Sequence, residues 1–228
     1  MKAIPGYEIP TIINPVRLTS ASAGEICGSC HSRGKDKKSK HPYPLEYIKS
    51  RGHSNLYLHF DFVDQKENPE MFWPSGEGKY DYMQYIDWKK SEHAKAGVTC
   101  SDCHTVHKRT TTFQTRLVGD QLCKSCHTTT EKRMAHRIHT FGSCINCHMP
   151  RTAKTAGGEV VARSHTFKFM SPKLSLKKGG VQNQPNACSG CHYHEKTPLT
   201  DLVGMLDAAK SADMPMPFDA HRKEVGGW

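Results

Sequence analysis

Hydrophobic and polar positions alternate regularly over only a few stretches of this chain. Residues 199–210 are the clearest: Leu199, Leu202, Val203 and Leu206 recur at helical spacing and predict an amphipathic helix. Residues 80–96 read as a second helix, with Tyr82, Tyr85, Ile86 and His93 on one face and Gly97 as its stop. Residues 56–63 (LYLHFDFV) alternate as a short strand does, and 161–170 (VARSHTFKFM) read as extended. Ser22 to Glu25 resembles a capping box that opens a short helix, and a further short helix is predicted over 131–139. Asn186, after Pro185, is a candidate cap. Between these pieces lie breakers. Pro5, Pro10 and Pro15 punctuate an extended arm, 1–21. Residues 33–40 (RGKDKKSK) read as a solvated basic loop, 67–79 and 149–158 as loops, and 214–228 as an irregular tail. The expected fold is mainly α with large irregular content and few short strands.

That pattern leaves too little for an ordinary core. Leu, Ile, Val and Phe supply 38 of 228 residues, below the roughly one-fifth under which a charged chain defaults to disorder. Something other than side chains must supply the missing apolar surface.

The cysteines say what it is. There are ten, and they fall into five pairs: Cys27/Cys30, Cys100/Cys103, Cys123/Cys126, Cys144/Cys147 and Cys188/Cys191. Each is a Cys-x-x-Cys followed at once by histidine: His31, His104, His127, His148 and His192. Cys-x-x-Cys-His is the attachment motif of c-type haem, two thiols forming thioethers and the histidine becoming the proximal iron ligand. Zinc sites have no need of a histidine after every second cysteine, and a redox dithiol is normally one motif rather than five. Five haem c groups are therefore expected as the cofactors, with iron as the metal and porphyrin as the core. Little structure is expected without them. The length suits one domain, with arm 1–21, a haem-binding body 22–210 and tail 211–228. The second, third and fourth motifs begin 23 and 21 residues apart, so their rings should be close neighbours.

Ten of the fifteen histidines remain after the proximal five. A second axial histidine makes a six-coordinate, low-potential carrier, whereas methionine raises the potential. The surplus favours histidine on both faces. The candidates are His93, on the apolar helical face; His107, able to cap a neighbouring haem; His136 and His139, ahead of the fourth motif; and His165, beside Phe167 and Phe169. His53 and His59 compete for the first haem. His41, His194 and His221 read as surface or propionate contacts.

The segments GSCINCHMP, ARSHTFKFMSP and NACSGCH together resemble the last two haem sites of pentahaem cytochrome c nitrite reductases and their multihaem relatives. SEHAKAGVTCSDCHTVH resembles a segment recurrent in periplasmic and extracellular multihaem cytochromes. The resemblance runs from about Phe72 to Leu206. It implies that His165 is a distal ligand and that His93 and His139 cap other haems. Nitrite reductases hold their catalytic haem on Cys-x-x-Cys-Lys. All five proximal positions here are histidine, which favours electron transfer over catalysis, with a reductase bearing one open haem as the alternative.

The remaining totals adjust this picture. A formal charge of +10 invites a nucleic-acid reading. Ten haem propionates would contribute about −10, and five ferric centres about +5, leaving the loaded protein at roughly +5. Nucleic acid is therefore not expected as a partner; redox proteins are. No run of about eighteen apolar residues forms a membrane span. MKAIPGYEIP lacks the apolar region of a signal peptide, so residue 1 is expected to be a mature start after export. Covalent haem attachment places the chain in the periplasm or outside the cell. The Pro-rich ends are expected to pack on the haem body or on a neighbouring subunit, in a homo-oligomer, filament or complex.

Overall fold

A computed structural model describes residues 13–50, 54–106, 111, 113–128, 136, 143–155 and 157–210. Its architecture is short helices and turns joined by irregular chain, with two small antiparallel sheets among the described residues. The mainly helical, strand-poor class expected from the sequence is what the chain adopts. The predicted helix over 131–139 and the ends 1–12 and 211–228 lie outside the described residues, His136 apart.

Helix α1 (Ser20–Gly28) carries the first cysteine of the first motif. Its cap is Thr19, whose hydroxyl accepts the Ser22 N–H at 3.3 Å, so the helix starts two residues ahead of the predicted box. Glu25 does not close a capping box. It is buried, and its carboxylate accepts the Leu56 N–H at 2.8 Å. Residues 56–63 prove half helical. Asn55 caps a turn, α3 (Leu56–His59), before strand β2 (Phe60–Phe62) pairs antiparallel with β1 (Gly34–Asp36). The Asn55 side chain takes the Tyr57 N–H at 2.8 Å, and that local bond overrides the strand-like alternation.

Between β1 and helix α2 (Leu45–Lys49) the chain turns around Asp36, which is fully buried. Its carboxylate accepts the N–H groups of Lys38 (3.0 Å), Ser39 (2.8 Å) and Glu46 (3.3 Å) and the Ser39 hydroxyl (3.0 Å). These bonds, that of the Ser39 N–H foremost, hold the Asp36 pKa at about 2 against the opposing effect of burial.

The side-chain core is small, as the composition requires. One cluster joins Tyr47, Leu56 and Phe60; a second joins Phe72, Met83 and Ile86; Phe62 packs against both. The predicted helix over 80–96 is interrupted. Tyr82 has φ 55°, helix α4 runs Gln84–Lys89, and a second turn, α5, runs Glu92–Lys95. The break is at Ser91, whose buried hydroxyl accepts the Ala94 N–H at 3.2 Å and so caps a new helix. Gly97 ends it at φ 81°, as predicted.

After α6 (Cys100–Cys103), α7 (Gln121–Lys124) and α8 (Cys144–His148), the expected loop at 149–158 is largely a hairpin. Strands β3 (Arg151–Lys154) and β4 (Val160–Arg163) pair antiparallel, and the buried Trp73 indole N–H donates to Thr152 O at 3.1 Å. Helices α9 (Pro172–Lys177) and α10 (Leu199–Lys210) pack together at the end of the described chain. In α10 Leu202 and Ala209 are buried and Leu199, Val203 and Leu206 half-buried, so the predicted apolar face is the packed one. Among the described residues no helix is long and apolar enough to cross a membrane.

Candidate metal centres

Each motif needs one turn of chain that brings two sulfurs and an imidazole to one side. In the first three, the histidine N–H closes an α-turn on the carbonyl of the first cysteine: His31 on Cys27 (2.9 Å), His104 on Cys100 (2.8 Å) and His127 on Cys123 (2.9 Å). The fourth is helix α8 itself, and in the fifth Cys191 N–H closes a tighter turn on Cys188 O at 3.0 Å. Side chains outside the motifs hold these turns. Asp102 takes the Thr99 N–H at 2.7 Å. Asp120, at the head of the third motif's helix, accepts both the Ser143 hydroxyl and the Cys144 N–H at 2.8 Å, tying the third motif to the fourth. Arg163 donates to Ile145 O (3.2 Å) and Met149 O (2.9 Å), satisfying carbonyls at the carboxyl end of α8. Asn186 accepts the Cys188 and Ser189 N–H groups, each at 2.9 Å, as a cap should.

All ten thiols are free, and those of successive motifs are neighbours. The Cys27 and Cys100 thiols lie close enough to shift each other, Cys27 down to about 7 and Cys100 up. Likewise Cys103 lies near Cys123 and Cys126, Cys123 near Cys144, and Cys147 near Cys188 and Cys191, each close enough to influence the other's ionisation. The five motifs therefore succeed one another in space in the order in which they occur in sequence.

Cys30 is placed differently from Cys27. It is exposed, as Cys126 is, whereas Cys27 and the other seven are half-buried. The reason is local. Helix α1 ends at Gly28, and the Cys30 N–H turns back onto Cys27 O at 3.1 Å, which carries the second sulfur past the helix end. The rings of α4 cover Gly24 and Gly28 instead, and the Cys30 Sγ accepts only a weak bond from the Ser29 hydroxyl at 3.8 Å. The polypeptide therefore covers Cys27 in part and leaves Cys30 exposed.

The histidines form facing pairs. His104 and His165 have ring centroids 6.4 Å apart with planes inclined by 25°. For His127 and His93 the values are 5.7 Å and 78°, and for His148 and His136 they are 6.1 Å and 50°. Two imidazoles on opposite sides of one metal ion, each about 2 Å from it through nitrogen, have centroids about 6 Å apart. All three pairs match that spacing, and each joins a proximal histidine to a predicted distal one.

The hydrogen bonds fix which nitrogen is available. Carbonyl oxygens can only accept, so His104 donates from Nδ1 to Phe113 O (3.0 Å), His148 to Phe167 O (3.3 Å) and His165 to Arg163 O (3.0 Å). In the neutral ring this tautomer leaves the Nε2 lone pair able to hold a metal, the arrangement expected of ligating histidines. Burial, foremost, pushes His165 down to about 4, and burial followed by neighbouring His127 lowers His93. Both are then neutral at physiological pH, as ligands must be. Among the described residues no three His, Cys, Asp or Glu side chains converge as the ligand set of a bare metal ion would. The residues present fit haem.

His59 is placed differently: its Nε2 hydrogen-bonds Ser54 Oγ at 2.7 Å. His41 accepts the Tyr43 N–H on Nδ1 at 3.1 Å and lies at the surface, as expected. His53, His107, His139 and His221 lie outside the described residues. Two residues near the pairs carry no motif signal. Phe167, in the left-handed conformation at φ 57°, offers its carbonyl to His148 while its ring lies 4.3 Å from that of His93 and 6.1 Å from that of His165. Asp87, buried and pushed up to about 6 by that burial, accepts the His165 N–H at 3.3 Å and the Gly78 N–H at 2.8 Å. It anchors the backbone of the distal histidine to helix α4.

The motifs have counterparts in known proteins. A family model described as a doubled CXXCH motif matches residues 93–132, which hold the second and third motifs and begin at His93. The multiheme cytochrome MtrA of Shewanella baltica (strain OS185) is 31% identical over 75 residues, 31% of this chain and 22% of that protein. Cytochrome c-552 of Desulfotalea psychrophila (strain LSv54 / DSM 12343) is 22% identical over 210 residues, 80% of this chain and 41% of that one. The chain thus spans less than half the length of these curated relatives. The crystal structure of the outer cell wall cytochrome OcwA matches with a TM-score of 0.59 at 22% identity, covering 81% of this chain and 51% of that one, which shows a shared fold. Haem-attachment motifs that take up all ten cysteines, a doubled-motif family match over two of them and cytochromes as relatives make this chain a multihaem c-type cytochrome.

Proposed function

We propose that the chain is an electron carrier holding five c-type haems, each iron between two histidines, and that it works in the periplasm or outside the cell. The observation that carries this is the pairing of His104 with His165, His127 with His93 and His148 with His136 at about 6 Å. An axial histidine on each side leaves no position for a substrate. Bound haem would supply a one-electron ferric/ferrous couple. The chain's own residues hold and aim the ligands: the carbonyls of Phe113, Phe167 and Arg163 fix the tautomers, and Asp120 and Arg163 lock neighbouring motifs together. The contacts between successive motifs support a path from the first to the fifth. His107, His139 and His53 are the reading's candidates for the sites of His31 and His192. Redox proteins are the partners, and assembly into an oligomer, filament or larger complex belongs to the same reading.

Stoichiometry tests it. The intact mass under denaturing conditions should exceed that of the polypeptide by five haems, with no thiol titratable, the exposed Cys30 and Cys126 included. A mass short by one haem, or a reactive thiol, contradicts five sites.

A further inference from the structure

The run 33–40 holds five basic residues (Arg33, Lys35, Lys37, Lys38, Lys40) and one acid, Asp36, and it begins two residues after His31. Such a run is usually a mobile solvated face. Here it is built. The Asp36 carboxylate gathers the N–H groups of Lys38, Ser39 and Glu46, the Asp36 N–H donates to His41 O at 2.7 Å, and the Lys40 N–H donates to Asp36 O at 2.9 Å. Lys40 sits at φ 60°, a conformation that glycine or asparagine would adopt at lower cost.

The loop is fixed to the first motif as well. Lys37 N–H donates to His59 O at 2.8 Å and its Nζ to Tyr57 O at 2.7 Å, while the adjacent Leu56 N–H is held by Glu25 of α1. Lys35, Lys37, Lys38 and Lys40 are all exposed. Among the described residues, Lys37 has an ion-pair partner in Asp61 at 3.7 Å and Lys38 interacts with Glu46, while Lys35, Lys38 and Lys40 are exposed to solvent. Exposed apolar side chains stand on the segments that pack against the loop: Tyr43 (43%), Ile48 (48%) and Leu58 (68%). Apolar contact area ringed by charge is the make-up of a transient protein interface.

We propose that this face, Lys35, Lys37, Lys38 and Lys40 around Tyr43, Ile48 and Leu58, docks an acidic redox protein that exchanges electrons at the first motif. The inference rests on the electron-carrier reading and adds the port and the charge of the partner. One electron passes per encounter, the partner being oxidised as the first site is reduced, or the reverse.

The test uses the haem-loaded protein and the variant K35E/K38E/K40E. Its control, K177E/K178E/K196E, reverses three exposed lysines elsewhere and changes the net charge equally. Stopped-flow oxidation of the reduced protein is followed with hexacyanoferrate(III), an anion, and tris(phenanthroline)cobalt(III), a cation. Poly-L-glutamate binding to the oxidised protein gives a second readout without electron transfer. At low ionic strength the loop variant should react with the anion about tenfold more slowly and bind polyglutamate about tenfold more weakly than the control, with no slowing toward the cation. Equal effects in loop variant and control would show that only net charge matters, and overturn the proposal. So would a shifted midpoint potential with an unchanged anion-to-cation rate ratio, which would make these lysines haem-propionate partners. Failure of the wild type to load five haems or to reduce fully would sink the carrier reading itself, a separate result.

Discussion

Replacing His165 with alanine is expected to convert one ferric site, that of His104, from low spin to high spin and leave the other sites unchanged. His165 faces His104 at 6.4 Å with nearly parallel planes. Its Nδ1 hydrogen is committed to Arg163 O, and burial keeps the ring neutral. Alanine removes the nitrogen, and among the described residues no other histidine ring is set against that of His104 at this spacing. Added imidazole should enter the vacated space and restore the low-spin signal, which a merely structural role for His165 would not allow. His59→Ala is the control, because its Nε2 is occupied by Ser54. An unchanged spin state in His165→Ala would remove this histidine from the ligand set.

The second large effect concerns how α1 sits on α4. Gly24 and Gly28 lie one turn apart, and a Cβ on either would come within 2.7 Å of a ring: Trp88 Cη2 for Gly24, Tyr85 Cγ for Gly28. Both rings are buried, at 8% and 5% exposure, and both are tied at their polar ends, the Trp88 indole N–H donating to Val98 O at 3.0 Å and the Tyr85 hydroxyl lying 3.3 Å from that of Tyr57, so neither swings aside freely. Gly28→Ala should therefore cost about 1–3 kcal/mol by overpacking, and Gly24→Ala a similar amount. In a chain of this size that lowers Tm by roughly 2–12 °C for each. Because Gly28 lies inside the first motif, Gly28→Val should also leave the first haem incompletely attached. Thermal melts and haem-to-polypeptide ratios check both, and a Gly24→Ala/Gly28→Ala protein melting with the wild type would refute the packing argument.

The chemistry of this chain was far more legible in its sequence than its shape. Cys-x-x-Cys-His is a local code from which proximal histidines are proposed, and the histidine surplus pointed to His93, His136 and His165, whose rings the structure sets about 6 Å from those of His127, His148 and His104. What escaped was decided by single side chains acting across the fold or against the local pattern. Ser91 capping a new turn divides the expected helix, and Asn55 turns the first half of an alternating run into helix. The code also says nothing of how far the polypeptide encloses each sulfur, and Cys30 stands exposed because its helix stops two residues earlier. The hairpin of β3 and β4 arises from a segment rich in ordinary loop residues, with the Trp73 indole fastened to Thr152 from almost eighty positions away. Asp120, Asp87 and the carbonyl of Phe167 belong to no motif, and only their positions beside the ligands reveal what they do. With so few aliphatic side chains, periodicity had little to report.

The central claim, a carrier with every iron held on both faces, is tested most directly by electron paramagnetic resonance of the fully oxidised protein, with and without nitrite or cyanide. The account predicts low-spin ferric signals only, integrating to five per chain and unmoved by either anion. A high-spin signal of one per chain that shifts on adding nitrite would contradict it, and would make this protein a reductase with an open site.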